Sequence, residues 1–542
     1  MQPIMEVART LGLRPADVSV WGEAKAKVSL AAVKRHPPRG RLILVSAMTP
    51  TPAGEGKTTT TISLAQGLHA MGCRACAVLR EPSLGPTFGR KGGATGGGRA
   101  TLEPADDINL HFTGDFHAIT AAHNLLAALL DNHLHRGNRL GIDVRRVLWR
   151  RVLDLNDRAL RHIVVGMGGP WAGVPRQSGF DITAASEVMA ALCLADGVDD
   201  LRHRLGRMVV GLTSNGEPVT AAELGAVGPM LVLLKDALRP NLVQTVEGVP
   251  ALVHGGPFAN IAHGCNSVLA TRLALGHSDW VVTEAGFGFD LGGEKFFDLK
   301  CVSAGLDTAA VVLVATVRAL KRHGGMALSA LAVPDASAVE RGLANLSKHV
   351  ENVRVFGEAP LVALNRFATD TDEEMDVVRA ACRNENVPFA MCDGYARGGA
   401  GAVDLAEAVV RHAEQRAKPF KPLYDWSDPI KDKLVTIARA MYGARSVVWE
   451  HQAEQDLEVV RACGGEALPL CVAKTEASLS DDPTRLGRPE GFEMTVNGVI
   501  LAAGAGYVVP VFGNMQRMPG LPADPQALRM DLRGDETVGV RS

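Results

Sequence analysis

The chain has 542 residues, of which 46% are hydrophobic and 21% are charged, enough for a large buried core and about three or four domains. The formal net charge is -2, so the chain has no surplus of positive charge for polyanions and we expect no nucleic-acid partner. No apolar run reaches the roughly 18 residues of a membrane span, and the first residues lack a signal-peptide core, so we expect a soluble cytoplasmic protein with no membrane partner.

The first predicted elements form one βαβ unit. A short amphipathic helix is expected at about residues 15–33, and the continuous apolar run 41–48 is typical of a strand buried on both faces. The loop 49–56 comes next, followed by helical spacing over 57–72 and a second apolar strand over 73–80. Parallel strands joined by a helix in this order are the repeating unit of α/β folds.

Apolar strands recur along the chain and alternate with helical segments, which indicates a mainly parallel sheet covered by helices. The predicted strands are 108–112, 161–167, 207–213, 280–285, 309–316, 360–367 and 387–393. From about residue 430 the apolar pieces become shorter, which indicates a smaller terminal domain. The predicted fold class is α/β, with a mainly parallel sheet that contains a phosphate loop (P-loop), is flanked by helices and is followed by smaller α/β domains.

The loop before the first long helix is close to a Walker phosphate-binding pattern. That pattern, G-x-x-x-x-G-K-[ST], ends here at Gly56, Lys57 and Thr58 but has Thr51 in place of its first glycine. Gly54 and Gly56 let the backbone approach an anion, Lys57 supplies positive charge, and Thr58 supplies a hydroxyl for Mg²⁺. The predicted ATP-binding residues are Thr51, Pro52, Ala53, Gly54, Glu55, Gly56, Lys57 and Thr58.

Ligands of open α/β sheets bind beyond the carboxyl ends of the strands, and this rule selects the other candidates. They are Arg80, Glu81, Thr113, Gly114, Asp115, His117, Phe287, Asn365, Phe367 and Tyr395. Each has a structural alternative, because aromatic rings past strands often plug cores and Arg–Glu neighbours are usually surface pairs. Together they predict a cleft in which cations bind phosphate or carboxylate and aromatic rings contact a flat ring. A carboxylate such as Asp115 would either hydrogen-bond or deprotonate an amine on that ring. The predicted reaction is the ATP-dependent joining of a small acid to a planar heterocycle.

Cysteines and histidines give weaker signals. Cys73 and Cys76 form a C-x-x-C without a second pair nearby, which favours reduced core cysteines over a redox pair or half of a zinc site. His111, His117 and His123 are spaced six apart, which matches neither one helical face nor a zinc pattern.

Long segments of the chain resemble formate–tetrahydrofolate ligases, and the likeness covers nearly the whole sequence. The similar segments are TPAGEGKTTT, REPSLGPTFGRKGGATGGG, HFTGDFHAITAAHNLLAALLDNH, NDRALR, GVPRQSGFDITAASEVMA, NLVQTVEGVPALVHGGPFANIAHGCNS, EAGFGFDLGGEKFFDLKC and SLSDDP. The loop of that family likewise has threonine where the first Walker glycine would stand.

The resemblance implies a two-step ligation. ATP phosphorylates formate to formyl phosphate, and N10 of tetrahydrofolate then attacks the formyl carbon to give 10-formyltetrahydrofolate, ADP and phosphate. By similarity, Lys57 stabilises the transferring phosphoryl group, Arg80 holds formyl phosphate, Asp115 lies near the reacting centre, and Thr58 binds the Mg²⁺ that accompanies ATP. The folate-binding residues implied by similarity are Glu81, Phe287, Phe367 and Tyr395.

The same resemblance implies an organisation and further partners. Residues 1–350 would bind the nucleotide and formyl phosphate, residues 351–430 would form the folate pocket, and residues 431–542 would complete the nucleotide site. The family is homotetrameric and is stimulated by a monovalent cation such as K⁺ or NH₄⁺.

The chain departs from the family pattern at several positions. Tyr395 stands where tryptophan is common, and its smaller ring is expected to weaken stacking on the pterin by about 1 kcal/mol. Glu476, Ala477, Asn514, Gln516 and Arg517 alter two segments that approach the nucleotide base in the family. These departures leave two alternatives open, a divergent relative acting on another small acid or pterin and a non-catalytic folate- or nucleotide-binding regulator.

Overall fold

The computed structural model describes residues 1–91, 93–416 and 418–540. Within these ranges a large, mainly parallel sheet is flanked by helices, which confirms the predicted α/β class. None of the described helices is both long enough and apolar enough to cross a bilayer.

The strands are numbered in chain order. They are β1 (Val18–Val20), β2 (Ala26–Val28), β3 (Arg41–Ala47), β4 (Ala75–Leu79), β5 (Gly96–Gly97), β6 (Ala100–Glu103), β7 (Ile142–Val147), β8 (Arg151–Leu153), β9 (Ile163–Val165), β10 (Arg176–Ser178), β11 (Phe180–Ile182), β12 (Val209–Thr213), β13 (Pro218–Thr220), β14 (Asn241–Thr245), β15 (Pro250–Val253), β16 (Trp280–Glu284), β17 (Ala310–Ala315), β18 (Pro360–Asn365), β19 (Phe389–Cys392), β20 (Ser446–Trp449), β21 (Glu493–Ala502), β22 (Tyr507–Phe512), β23 (Asp531–Arg533) and β24 (Glu536–Val538).

The helices are numbered in the same way. They are α1 (Ile4–Thr10), α2 (Leu30–Arg35), α3 (Lys57–Ala70), α4 (Leu84–Pro86), α5 (Ala105–Asn109), α6 (Asp115–His135), α7 (Glu187–Leu194), α8 (Val198–Gly206), α9 (Val227–Leu234), α10 (Val268–His277), α11 (Val302–Ala304), α12 (Val317–His323), α13 (Ala336–Val355), α14 (Asp372–Asn384), α15 (Gly394–Arg397), α16 (Val403–Glu414), α17 (Ile430–Ile437) and α18 (His451–Ala462).

The central sheet has the strand order β1-β2-β14-β15-β4-β16-β3-β17-β18-β19, with β5 and β6 attached beside β14. Every neighbouring pair from β15 to β19 is parallel, whereas β1, β2, β14 and β15 pair antiparallel. Because parallel neighbours end at one edge, the carboxyl ends of β4, β16, β3, β17, β18 and β19 lie side by side.

Strand β3 shows why this sheet is covered on both faces. Leu42 and Leu44 belong to one buried apolar cluster, while Ile43, Val45 and Ala47 belong to another. Successive side chains of a strand point to opposite faces, so the continuous apolar run fills two cores at once. The sequence interpretation of 41–48 as a doubly buried strand is confirmed.

Two predicted elements are wrong. Residues 15–33 are not one helix: β1 and β2 form an antiparallel hairpin, and Gly22 with φ of 81° lies in its turn. Residues 108–112 are not a strand, because 105–109 are helix α5, with two acidic residues in the first turn that favour a helix N-terminus. Asp115 therefore begins helix α6 instead of following a strand.

The strands predicted at 161–167 and 207–213 exist in shorter form but outside the central sheet. Strand β9 pairs with β10, and β12 lies between β13 and β7 in a three-stranded sheet. Strands β14 and β15 are buried throughout but were not predicted. In β14 the reason is that Asn241, Gln244 and Thr245 interrupt the apolar pattern. Apolar runs identify buried strands but carry no information about which sheet they join.

The C-terminal third contributes to two regions. Strands β18 and β19 continue the central sheet, whereas β20, β21 and β22 form a separate three-stranded sheet. The predicted domain boundaries at residues 350 and 430 stay predictions.

Candidate active site

Polar and aromatic side chains gather where the parallel strands of the central sheet end. The side chains at or just past these ends are Arg80, Glu81, Glu284, Phe287, Thr316, Asn365, Phe367 and Tyr395. The rule that places ligands at the carboxyl edge of such sheets selects the same region as the sequence analysis did.

The 51–56 loop joins β3 to the start of helix α3, in the predicted order of strand, loop and helix. Gly54 and Gly56 have φ of 77° and 71°, in the region that favours glycine. A Cβ atom on Gly56 would come within 2.3 Å of Asn365 Nδ2, so no larger residue fits there without movement. Pro52 and Ala53 are exposed at the outer part of the loop.

Thr51 has a specific partner that explains why threonine replaces glycine. Its backbone N–H and its hydroxyl both donate to Glu55 Oε1, at 2.6 and 2.8 Å. The other carboxylate oxygen of Glu55 accepts from the Thr316 hydroxyl, and the Glu55 side chain is buried. A buried carboxylate requires such donors, and a glycine at position 51 would offer no hydroxyl. Glu55 thus links the first residue of its own loop to Thr316, the residue that follows β17.

Glu284 connects the helix start to the neighbouring strand end, and the sequence analysis did not select it. The Thr58 hydroxyl donates to Glu284 Oε2 at 2.8 Å, and Arg80 Nη2 lies 3.6 Å from Glu284 Oε1. Glu284 ends β16, which lies between β3 and β4. The rule that ligands bind at strand ends would have selected Glu284, which is the last residue of β16. The prediction considered only residues beyond that strand and named Phe287.

Arg80 lies between the end of β4 and the segment 257–260. Its Nη1 donates to the carbonyl oxygen of Pro257 at 3.2 Å, and a Cβ atom on Gly286 would lie 2.9 Å from the same nitrogen. The Arg80 side chain is 22% exposed. The guanidinium is therefore held beside Glu284 and remains reachable by a ligand.

Glu81 and Asp115 form a buried carboxylate pair with unequal surroundings. Asp115 Oδ1 lies 2.5 Å from Lys27 Nζ, and its Oδ2 accepts from Asn241 Nδ2 at 2.7 Å. Burial raises the pKa of Glu81 well above its ordinary value; the Asp115 carboxylate adds to this rise and the Lys27 ammonium opposes it. Glu81 Oε2 is buried with no hydrogen-bond partner in the described structure. Asp115 is thus tied to Lys27, which lies 88 residues earlier in the chain and was not predicted.

We expect Asp115→Leu to destabilise the folded protein by about 3–5 kcal/mol, because Lys27 would keep a fully buried and unpaired charge. Adding Lys27→Met should recover a large part of this loss, since neither charge would then be buried. The measurement is the free energy of unfolding in urea. Asp107→Leu serves as the control, because Asp107 is 51% exposed in its pair with Lys25. A single Asp115 variant as stable as the control would contradict the structural role.

The three predicted aromatic residues follow different strands. Phe287, past β16, has φ of 58°, which is uncommon for a bulky residue and indicates that its surroundings hold it there. Phe367, past β18, has the guanidinium carbon of Arg318 4.0 Å from its ring centroid. Tyr395, past β19, is 57% exposed, and a Cβ atom on Gly97 would lie 3.0 Å from its ring. The Tyr395 ring thus packs closely against strand β5, to which Gly97 belongs.

Among the described residues, neither the three histidines nor the two cysteines of the C-x-x-C belong to a group of three or more side chains that could hold a metal. His111 Nδ1 and His117 Nε2 are 2.7 Å apart, but His123 is buried, with its ring nitrogens 2.8 Å from the Ser186 hydroxyl and 3.0 Å from a backbone carbonyl oxygen. Cys73 and Cys76 are free thiols, and burial raises the pKa of Cys76 to about 12.

The C-terminal region contacts the residues just before the 51–56 loop. His323 Nε2 donates to the Thr49 carbonyl oxygen at 3.0 Å, and its Nδ1 accepts from the Gly487 N–H at 3.1 Å. Burial lowers the pKa of His323 to about 4, which keeps the ring neutral and able to make both bonds. Asn345 Nδ2 contacts the same two residues, at 3.0 Å to the Thr49 hydroxyl and 2.8 Å to the Gly487 carbonyl oxygen.

Besides Tyr395, the positions that the sequence analysis set apart lie in two segments, at 476–477 and at 514–517. Glu476 Oε2 accepts from Asn260 Nδ2 at 3.3 Å, next to the segment that contacts Arg80. Ala477 lies beside it. Arg517 instead pairs with Asp181 at 3.0 Å, and Gln516 Nε2 donates to Asn514 Oδ1 at 2.5 Å.

Comparison with known proteins gives one consistent result. The family model described as formate–tetrahydrofolate ligase matches residues 1–540. A formate–tetrahydrofolate ligase from Myxococcus xanthus is 54% identical over 542 residues, covering 99% of this chain and 98% of the relative. Ligases of the same name from Paracoccus denitrificans and Bacillus licheniformis are 56% and 52% identical, each covering 98% of this chain and 96% of the relative.

Proposed function

This chain belongs to the formate–tetrahydrofolate ligase family, and on that premise we propose that it joins formate to tetrahydrofolate at the expense of ATP. The products are 10-formyltetrahydrofolate, ADP and phosphate. The observation that carries the proposal is the Thr58–Glu284–Arg80 chain, which holds an arginine beside the start of the helix that Lys57 opens.

The first step activates formate, because the formate anion has no group that a nucleophile can displace. A formate oxygen attacks the γ-phosphorus of ATP, the bond from that phosphorus to the β,γ-bridging oxygen breaks, and ADP leaves. The backbone N–H groups of the 51–56 loop and the N-terminus of α3 offer positive ends of dipoles to the phosphates. Lys57 adds a full charge that stabilises the transferring phosphoryl group.

The oxygen atoms near the start of α3 fit the requirements of Mg²⁺. The Thr58 hydroxyl and the Glu284 carboxylate are 2.8 Å apart, and hard oxygen ligands are the ones that this ion selects. Thr58 and Glu284 would hold the ion, and Mg²⁺ bound with ATP neutralises charge on the phosphate oxygens.

The second step transfers the formyl group to N10 of tetrahydrofolate. Arg80 holds the phosphate part of formyl phosphate, N10 attacks the formyl carbon, and the C–O bond to phosphate breaks. The amine loses a proton in this step. Glu81 suits the role of acceptor better than Asp115, because Glu81 Oε2 has no hydrogen-bond partner in the described structure, whereas Asp115 is already bound to Lys27 and Asn241.

Phe287, Phe367 and Tyr395 are the proposed pterin contacts. Each follows a parallel strand that ends at the same edge as β4, the strand that precedes Arg80 and Glu81. The high exposure of Tyr395 leaves ring surface open for stacking, and strand β5 packs against the ring at Gly97.

The remaining parts of the proposal come from the family resemblance. They are a homotetramer, stimulation by K⁺ or NH₄⁺, a cytoplasmic location, a folate pocket in residues 351–430, and completion of the nucleotide site by residues 431–542. The contacts of His323 and Asn345 with Gly487 support the role of residues 431–542 in the nucleotide site. The same two side chains bond Thr49, which lies just before the 51–56 loop.

The test is product formation from ATP, Mg²⁺ and tetrahydrofolate with formate, with acetate or with no acid. We expect 10-formyltetrahydrofolate to form with formate and no acyl product to form with acetate. Equal ADP release in all three reactions would remove the formate assignment and favour a divergent activity. Nucleotide binding without any transfer at saturating substrates would favour a non-catalytic regulator.

A further inference from the structure

Arg318 lies between the 51–56 loop and the ring of Phe367, and neither the sequence motifs nor the proposed reaction assigns it a role. It belongs to the first turn of α12, directly after β17. Its guanidinium donates to the carbonyl oxygen of Gly54, and its Nε lies 3.9 Å from Glu55 Oε2. The same guanidinium covers the Phe367 ring at 4.0 Å.

Two side chains fix consecutive peptide groups of the loop. Arg318 donates to the Gly54 carbonyl oxygen, and Asn365 Nδ2 donates to the Glu55 carbonyl oxygen at 3.1 Å. A trans peptide is planar, with its C=O and N–H on opposite sides, so anchoring each carbonyl orients the next N–H away from it. Arg318 and Asn365 thereby set the directions of the Glu55 and Gly56 N–H groups, which belong to the proposed phosphate cradle.

The Arg318 side chain is itself held in a defined place. Thr316 caps α12 by accepting from the Ala319 N–H at 3.1 Å, and the Thr316 hydroxyl donates to Glu55. Arg318 is 24% exposed, and its planar group is suited to stack on an aromatic ring while donating at its edge. A shift of the Phe367 ring therefore acts directly on the group that anchors Gly54.

We propose that Arg318 is a positioning residue that links pterin binding at Phe367 to the grip of the 51–56 loop on the nucleotide. This inference rests on the proposed function, because it takes Phe367 as a pterin contact. A pterin that orders Phe367 also orders Arg318 and, through it, the Gly54–Glu55 peptide. Each ligand then favours binding of the other, and the effect is reciprocal.

The test measures binding of a non-hydrolysable ATP analogue with Mg²⁺ by calorimetry, with and without saturating tetrahydrofolate. We expect tetrahydrofolate to tighten analogue binding by about fivefold or more in the unaltered protein. In Arg318→Met, tetrahydrofolate should no longer tighten analogue binding, so the tightening factor falls to about one. Arg322→Met is the matched control, since Arg322 lies on the same helix and donates to the carbonyl oxygen of Met326. It should keep the full factor.

Phe367→Leu provides a second variant, which keeps Arg318 but removes the ring that it covers. It should weaken tetrahydrofolate binding and abolish the tightening of analogue binding by tetrahydrofolate. A factor near one in the unaltered protein, or a full factor in Arg318→Met, overturns the inference. Failure of the unaltered protein to bind tetrahydrofolate, or unchanged tetrahydrofolate affinity in Phe367→Leu and Tyr395→Ala, instead overturns the proposed pterin site.

Discussion

Replacing Lys57 with alanine is expected to slow 10-formyltetrahydrofolate formation by about two orders of magnitude or more. Phosphoryl transfer offers the protein little covalent chemistry, so positioning and charge stabilisation carry the catalysis. Lys57 is the first residue of α3, where its charge adds to the dipole of the helix N-terminus. The measurement is the initial rate with formate, ATP, Mg²⁺ and tetrahydrofolate all saturating.

Lys235→Ala is the matched control for this variant. Lys235 has a side chain that is 73% exposed, and its Nζ lies 4.0 Å from Asp236. Its removal changes the net charge as Lys57→Ala does but leaves the carboxyl edge of the central sheet unaltered. It should retain full activity. A Lys57→Ala protein that is folded and as fast as the control would remove the 51–56 loop from the chemistry.

Arg80→Ala is expected to cost about a hundredfold or more in rate. A guanidinium grips two oxygens of an acyl phosphate at once, and alanine supplies neither the charge nor the donors. Arg80→Lys should recover only part of the activity, because an ammonium is a point charge without the planar fork. The measurement is formyl transfer to tetrahydrofolate, followed together with formate-dependent ADP release.

The two ends of strand β4 supply a control for Arg80. Arg74 precedes the strand at the opposite edge, is 69% exposed and pairs with Asp279 at 2.6 Å. Arg74→Ala removes the same side chain far from the proposed chemistry and should keep normal rates. Equal losses in the Arg74 and Arg80 variants would mean that both act through stability, and the assignment of Arg80 to formyl phosphate would be wrong.

Local signals in the sequence were sufficient for the fold class and the family. The apolar run at 41–48, the glycines of the loop and the helical spacing that begins at Lys57 are contiguous, and each depends on neighbours in the chain. The strand-end rule then identified Arg80, Glu81, Phe287 and Phe367 correctly as residues of one sheet edge, because it requires only that the strands be parallel.

Prediction from apolar patterns failed where polar residues are buried. Strand β14 was missed because Asn241 breaks its apolar pattern, yet that amide is buried where it binds Asp115. Lys27 was placed within a supposed amphipathic helix, although it lies in a fully buried strand. A polar residue is stable in a core only when a hydrogen-bond or ion-pair partner lies within reach. The order of the strands in the sheet decides which residue that partner is.

The sequence by itself determined the α/β class, the family and the presence of a strand, loop and helix around Lys57. Only the tertiary structure decided that Glu55 closes the loop through Thr51, that Glu284 joins Thr58 to Arg80, and that Arg318 joins the loop to Phe367. These partners are separated by as many as 264 residues. Periodicity and motifs report on neighbours along the chain, whereas crossovers between parallel strands bring distant segments to one edge.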